Sequence, residues 1–130
     1  MGRDATLLAV VDDDADVRAA LTRLVSSAGF AVETFSSGAE FLRSIEDHEP
    51  DCLLLDLHMP EMSGFELQSA LAVAHAALPV VVITGNDTPD ARDRALHLGA
   101  NAYLCKPVDA EVLLAAIDGA IGNVNRSADR

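Results

Sequence analysis

Polar side chains typical of phosphate and metal sites follow the apolar runs of this 130-residue sequence. They comprise an adjacent pair of carboxylates, a single carboxylate, a hydroxyl and an ammonium group: Asp12 with Asp13, Asp56, Thr84 and Lys106. Carboxylates within about 4 Å of each other repel by roughly 4 kcal/mol at a surface-like dielectric, so such a cluster needs a cation. Short acidic side chains favour a hard divalent ion, and magnesium is the obvious candidate.

These groups together could support phosphoryl transfer. A carboxylate can attack a phosphoryl donor if the cation and Lys106 neutralise the charge that develops on the transferring group. Thr84 can donate a hydrogen bond to a phosphoryl oxygen, and Gly85 leaves the approach open. Each residue alone has an ordinary structural explanation, such as a turn aspartate or a β-branched strand residue. The combination at equivalent strand ends is what favours a functional site.

The elements that would position these residues are strands of a parallel sheet. Apolar, β-branched runs alternate with segments of helical periodicity, which predicts an α/β domain with helices on both faces of the sheet. The predicted strands are Leu7–Val11, Ala31–Phe35, Cys52–Asp56, Val80–Thr84 and Ala102–Cys105. In open parallel sheets, ligands bind beyond the carboxyl ends of the strands. The polar residues fall at those ends.

Helix starts and ends also carry sequence signals. The predicted N-terminal caps after the first helix are Ser37 with Glu40, Ser63 with Glu66, Thr88 with Pro89, and Asp109. Gly29 and Gly99 are suited to ending helices in a left-handed conformation. We predict one domain over residues 1–122, followed by a tail over residues 123–130 that is a frayed end or the start of a linker.

Composition excludes several classes of function. Nine basic and 21 acidic residues give a formal charge of −12, which argues against direct nucleic-acid binding. Without a leader pattern or an apolar run near 20 residues, we expect a cytoplasmic protein with no membrane contact. Cys52 and Cys105 lie in apolar runs and are predicted to be small buried hydrophobic residues. The scattered histidines do not predict a zinc site.

Several motifs resemble one protein family across nearly the full length of the chain. They are VVDDD, LLLDLHMPEMSG around Asp56, VVITG, and YLCKP with Lys106 and Pro107. Their order and spacing are similar to those of response-regulator receiver domains, the CheY-like modules of two-component signalling. The segments FSSGAEFL and ITGNDTPDARDRAL look most like the FixJ-type branch.

The resemblance implies a single doubly wound (βα)5 domain of flavodoxin-like type, with strand order 2-1-3-4-5. This order would place the fourth strand between the two that carry the cysteines. With strands about 4.8 Å apart, Cys52 and Cys105 would lie roughly 10 Å from each other, too far for a disulfide.

The resemblance also implies the roles of the acidic residues. Asp56 would accept the phosphoryl group. Asp13 and Asp56 would bind Mg²⁺ directly, together with the backbone carbonyl of His58, and Asp12 would act through a metal-bound water. Asp14 would help to cap the first helix.

The resemblance also implies that other residues take part in a conformational change after phosphorylation. The Lys106–Pro107 peptide is expected to be cis. Phosphorylation would draw Thr84 inward and let Tyr103 rotate toward the space that Thr84 leaves, which biases an existing equilibrium. The positions that would affect phosphoryl access and lifetime are His58, Gly85 and Asn86.

We therefore expect a phosphoacceptor switch rather than an enzyme with a separate substrate. It would catalyse its own phosphorylation from a sensor histidine kinase or phosphotransfer protein, and hydrolyse the product slowly. It would control an output partner or domain, with transcription as the expected output, and homodimerisation after phosphorylation is a hypothesis. A stand-alone receiver or phosphorelay intermediate remains an alternative.

Three other classes are less well supported. A phosphatase of haloacid dehalogenase type would need a second aspartate at position 58, which is His58. A flavin- or nucleotide-binding domain would need a phosphate loop where DDDAD stands. A degenerate receiver that signals by binding alone would not need the complete set of acidic, threonine and lysine residues.

Overall fold

The computed structural model describes residues 6–128, with side chains described for residues 6–122. Strands and helices alternate along the described chain. The strands are β1 (Leu7–Val11), β2 (Ala31–Phe35), β3 (Cys52–Leu55), β4 (Val80–Thr84) and β5 (Ala102–Cys105). The helices are α1 (Ala15–Ser27), α2 (Gly38–Ile45), α3 (Gly64–Ala74), α4 (Pro89–His97) and α5 (Ala110–Ala128).

The strands form one parallel sheet in the order β2-β1-β3-β4-β5, which confirms the predicted doubly wound fold. β1 pairs with both β2 and β3, so the strand order reverses at the carboxyl end of β1. Every residue of β3 and β4 is buried, while the edge strands β2 and β5 are partly exposed. The near-continuous apolar sequences of β3 and β4 reflect this central position.

Two hydrophobic cores lie on opposite faces of the sheet because side chains alternate along each strand. The first core joins the sheet to α2, α3 and α4, and includes Phe41, Leu67 and Ala95. The second joins it to α1 and α5, and includes Val25 and Ile117. Helices on both faces hold the sheet rigid and leave the carboxyl ends of its strands open for a site.

Most of the predicted caps are present. Ser63 and Glu66 form a complete capping box, and the side chains of Thr88 and Asp109 accept backbone N–H groups three residues later. Gly29 and Gly99 adopt φ values of 102° and 108°.

The box at α2 differs from the prediction. Ser37 accepts the N–H of Glu40, but the Glu40 carboxylate accepts the N–H of Ser36 at 2.8 Å. It thus reaches one residue farther back than a capping box requires.

The last helix is longer than the sequence pattern indicated. It extends to Ala128, beyond the predicted boundary at Gly122, and the final two residues lie outside the described part of the chain. The division into a domain and a tail therefore stays a prediction. No helix among the described residues is long and apolar enough to cross a membrane.

The prediction for one cysteine was wrong. Cys52 is fully buried, but Cys105 is exposed because it is the last residue of the edge strand β5. Both thiols are free, as the predicted strand order requires. Burial raises the pKa of Cys52 to about 12, so its thiol is protected both sterically and chemically.

This difference predicts selective labelling. Iodoacetamide on the native protein should modify Cys105 and leave Cys52 unmodified until the chain unfolds. Intact mass and peptide mapping would measure this, with Cys105→Ser as the control that should take up no label while folded. Rapid native labelling of Cys52 would contradict the buried position of β3.

Candidate functional site

Backbone hydrogen bonds beyond the strand ends bring the predicted residues to one edge of the sheet. The N–H of Asp12 donates to the Phe35 carbonyl, and the N–H of Asp56 donates to the Val11 carbonyl at 3.0 Å. The N–H of Lys106 likewise donates to the carbonyl of Thr84. The register of the parallel strands therefore sets where each functional side chain emerges.

Three carboxylates form one cluster at this edge. Asp12, Asp13 and Asp56 each offer a carboxylate oxygen, and these atoms lie within 4.8 Å of one another. Asp12 and Asp56 are buried, whereas Asp13 is exposed. The Lys106 ammonium lies 3.0 Å from Asp12 Oδ2 and 3.5 Å from Asp56 Oδ1. Lys106 therefore places a positive charge between the two buried carboxylates.

The electrostatics of the cluster change the pKa values of two groups. Burial, followed by repulsion from Asp12, raises the pKa of Asp56 above its usual value, although Lys106 and the His58 N–H oppose this. Burial acts to lower the pKa of Lys106, but the hydrogen bond to Asp12 and attraction by Asp56 raise it overall. An ionised Asp56 is thus held in an unfavourable environment, while Lys106 is held as a cation.

The donor set fits a divalent metal ion. Three carboxylates face one ammonium group, which leaves net negative charge at the site. Carboxylate oxygens are the ligands that Mg²⁺ prefers, and a second cation would relieve the remaining repulsion. The residues that could hold it are Asp12, Asp13 and Asp56.

An open cavity of about 400 Å³ lies over the cluster. Its lining unites most of the predicted site residues: Asp12, Asp13, Asp14, Asp56, His58, Gly85, Asn86 and Lys106. Asp14 also caps α1 by accepting the N–H groups of Asp16 and Val17. The Lys106–Pro107 peptide bond is cis.

Thr84 and Tyr103 lie outside this lining. Thr84 is fully buried, and its hydroxyl accepts the N–H of Asn86 at 3.2 Å. The Tyr103 hydroxyl is shielded from solvent near Asp87 and Thr88, yet it makes no hydrogen bond of good geometry within the described part of the chain. Burial, and secondarily Asp87, raises the pKa of Tyr103 to about 12. The two predicted switch residues thus lie beside residues 85–88, which join the end of β4 to the start of α4.

Two residues that support the site were given no role by the sequence analysis. Arg18 donates from Nη1 to the Asp12 carbonyl at 2.7 Å and steadies the loop before α1. At Gly64, a Cβ atom would lie 2.5 Å from the Asp56 carbonyl oxygen and 2.7 Å from Leu57 Cα. Only glycine lets the start of α3 pack this closely against the backbone of Asp56. In the sequence, the only sign of this close packing was a glycine directly after the predicted cap Ser63.

Comparison with known proteins agrees with this geometry. The sequence profile described as response regulator receiver domain matches residues 8–118, and the chain belongs to this family. It is 39% identical over 114 residues to the DNA-binding transcriptional regulator NtrC of Escherichia coli K12. It is 37% identical over 121 residues to the response regulator protein TodT of Pseudomonas putida F1. The protein is therefore a receiver domain of two-component signalling.

Solved structures show the same fold. A CheY-like receiver domain protein from Methanospirillum hungatei JF-1 superposes with a TM-score of 0.89 at 25% identity, covering 95% of this chain and 98% of that one. The structure of FixJ-N superposes with a TM-score of 0.84 at 33% identity, covering 90% of this chain and 94% of that one.

The curated relatives are longer than the matched region. The match covers 88% of this chain but 24% of NtrC, and 93% of this chain but 53% of TodT. The chain therefore spans about a quarter to a half of their lengths.

The raised pKa of Asp56 predicts a dependence of stability on pH. Because the folded state raises this pKa, ionised Asp56 destabilises the fold above it, and protonation relieves the cost as pH falls. Without Mg²⁺, Asp56→Asn should increase the free energy of unfolding at pH 7 by roughly 1–2 kcal/mol.

Urea unfolding at pH 7 and near pH 4 would measure this gain, which should shrink at the lower pH. The control is Asp47→Asn, at an exposed site away from the cluster. A variant less stable than wild type at pH 7 would show that Asp56 is not electrostatically strained.

Proposed function

We propose that Asp56 accepts a phosphoryl group from the phosphohistidine of a sensor histidine kinase or phosphotransfer protein, with Mg²⁺ as cofactor. The observation that carries this proposal is the position of Asp56 at the floor of an open cavity, between the other two carboxylates and Lys106. An isolated carboxylate would repel a phosphoryl donor, whereas this one lies beside an ammonium group and a set of metal ligands.

The transfer step balances as a displacement at phosphorus. An Asp56 oxygen forms the new P–O bond while the P–N bond to the donor imidazole breaks, and the imidazole leaves with the bonding electron pair. Lys106 can turn from Asp12 toward the phosphoryl oxygens because Asp12 and Asp56 already share its ammonium group.

Asp13, Asp56 and the His58 carbonyl would hold Mg²⁺, with Asp12 acting through a water. Bound there, the ion would neutralise charge on the transferring group. His58, Gly85 and Asn86 line the cavity and would control how water reaches the acyl phosphate. Slow hydrolysis would then return Asp56 to the carboxylate, so the chain is a switch that modifies itself.

The signal would pass from Thr84 to Tyr103. A phosphoryl oxygen would accept a hydrogen bond from the Thr84 hydroxyl, and this would draw the end of β4 toward Asp56. Tyr103 would then change its packing beside the start of α4, which alters the surface made by α4, β5 and α5. An output domain, effector protein or second copy of the chain would bind this surface in a phosphorylation-dependent way. Control of transcription is the output that NtrC suggests.

An apolar groove beside the cavity would bind the phosphodonor. It has a volume of about 500 Å³ and runs between α1 and the loop before α5, with Leu21, Leu24 and Val108 in its walls. It shares Gly85 and Lys106 with the phosphorylation cavity, so a helix bound there would carry its phosphohistidine to Asp56. We therefore assign this groove to an amphipathic helix of the kinase or phosphotransfer protein.

Acetyl phosphate tests the acceptor residue. Intact mass after incubation with Mg²⁺ should show one phosphoryl adduct, which should be absent without Mg²⁺ and in Asp56→Asn. Asp47→Asn is the matched control and should be phosphorylated like wild type, because Asp47 is exposed and outside the cavity. An adduct that persists in Asp56→Asn would place the acceptor elsewhere.

A pair of neighbouring variants tests the groove. Ala20 lines it and Ala19 does not, and both are exposed on α1. The phosphodonor is the phosphorylated histidine domain of a kinase that phosphorylates the wild type. Ala20→Glu should slow phosphoryl transfer from this donor about tenfold or more, because the added carboxylate would be desolvated in the groove. Ala19→Glu should not. Both variants should react with acetyl phosphate at the wild-type rate, and equal kinase rates for the two would refute the assigned groove.

A further inference from the structure

Helix α4 has a weak hydrophobic attachment to the rest of the domain. Its buried side chains are Ala91 and Ala95, whereas α3 buries Leu67 and Leu71. Hydrophobic stabilisation scales with apolar area, so two methyl groups contribute little to holding a helix. Elements with few buried apolar contacts open at lower free energy than the core. The position of α4 must therefore depend on other interactions.

Two specific contacts from α3 supply them. The Gln68 side chain donates from Nε2 to the Ala95 carbonyl at 2.9 Å, and only 2% of Gln68 is exposed. The Arg94 guanidinium lies over the Phe65 ring, 4.2 Å from its centroid. The Ala95 carbonyl also accepts the N–H of Ala100, which closes the end of α4. Gln68 thus holds α4 at its C-terminal end.

The packing between α3 and α4 leaves one polar atom of Gln68 unsatisfied. Gln68 Oε1 is buried without a hydrogen-bond partner in the described part of the structure. A buried unsatisfied group costs more than a typical hydrogen bond contributes. Among the described contacts, Gln68 thus meets α4 through one hydrogen bond, which is weak enough to break if α4 shifts.

We propose that Gln68 is a positioning residue that latches α4 to α3, and that this latch sets how readily the domain switches. The inference rests on the proposed function of Asp56. Residues 85–88 join Thr84 directly to the start of α4, so drawing Thr84 toward a phosphoryl group pulls that helix from its N-terminal end. The bond from Gln68 to Ala95 resists the pull at the other end.

The variant Gln68→Leu tests whether Gln68 controls switching or only stabilises the fold. Leucine keeps a similar volume but cannot bond to the Ala95 carbonyl, so the state with α4 in the observed position should lose the contribution of one neutral hydrogen bond. Beryllofluoride with Mg²⁺, a mimic of the phosphoryl group, should bind about fivefold more tightly, the factor that one neutral hydrogen bond supplies. Hydrogen exchange should accelerate at α4 amides and stay unchanged in α5.

Two further variants complete the test. Arg94→Ala, at an exposed residue, should produce a smaller change in the same direction, and it remains informative if Gln68→Leu does not fold. Ser69→Ala, exposed on α3, is the matched control and should behave as wild type.

These measurements distinguish failure of the proposed function from failure of the Gln68 latch. Failure of the wild type to bind beryllofluoride would overturn the proposed function. Wild-type binding with unchanged affinity and α4 exchange in the latch variants would overturn the latch alone. A stability loss without an affinity change would also overturn it, since that is what a merely structural residue would show.

Discussion

Repulsion among the carboxylates at the end of β1 and β3 is the constraint on which the rest of the structure depends. Asp12 and Asp56 are buried side by side, an arrangement that is unfavourable without a compensating cation. The chain supplies one through Lys106, which is 94 residues from Asp12 in sequence. The three carboxylates still outnumber this one ammonium group, so the cluster keeps net negative charge that a divalent cation would offset. The folded state thus gives up stability locally to hold these carboxylates together.

The remainder of the fold holds this unfavourable cluster in place. The central strands are buried on both faces, and cores above and below the sheet fix their register. Gly64 allows α3 to start directly against the backbone of Asp56, and Arg18 ties α1 to the carbonyl of Asp12. A group held by this much packing cannot relax away from its neighbours. The carboxylates are therefore already positioned before any ligand arrives, and the proposed phosphoryl transfer would benefit from this preorganisation.

The helices are not held equally tightly against the sheet, and a weakly held helix can move when the domain switches. Helix α3 is anchored by leucines, whereas α4 is seated by two alanines, one amide hydrogen bond and one cation–π contact. The carboxylate cluster lies at the ends of the central strands, and the weakly held helix follows the strand that ends at Thr84. A small displacement at the site can reach the surface because the intervening element has little packing to break.

The amino-acid sequence by itself determined the fold class, the strand positions to within one residue, and the identity of the residues at the sheet edge. Those features follow from local periodicity, from cap and turn residues, and from motifs of fixed spacing. The exposure of Cys105 was not predictable, because an apolar run does not reveal that its last residue ends an edge strand. Tertiary structure alone decided that Lys106 contacts Asp12, that Gly64 abuts Asp56, and that Gln68 binds Ala95. Each of these contacts joins residues from separate elements, so it exists only once the helices and strands have packed together.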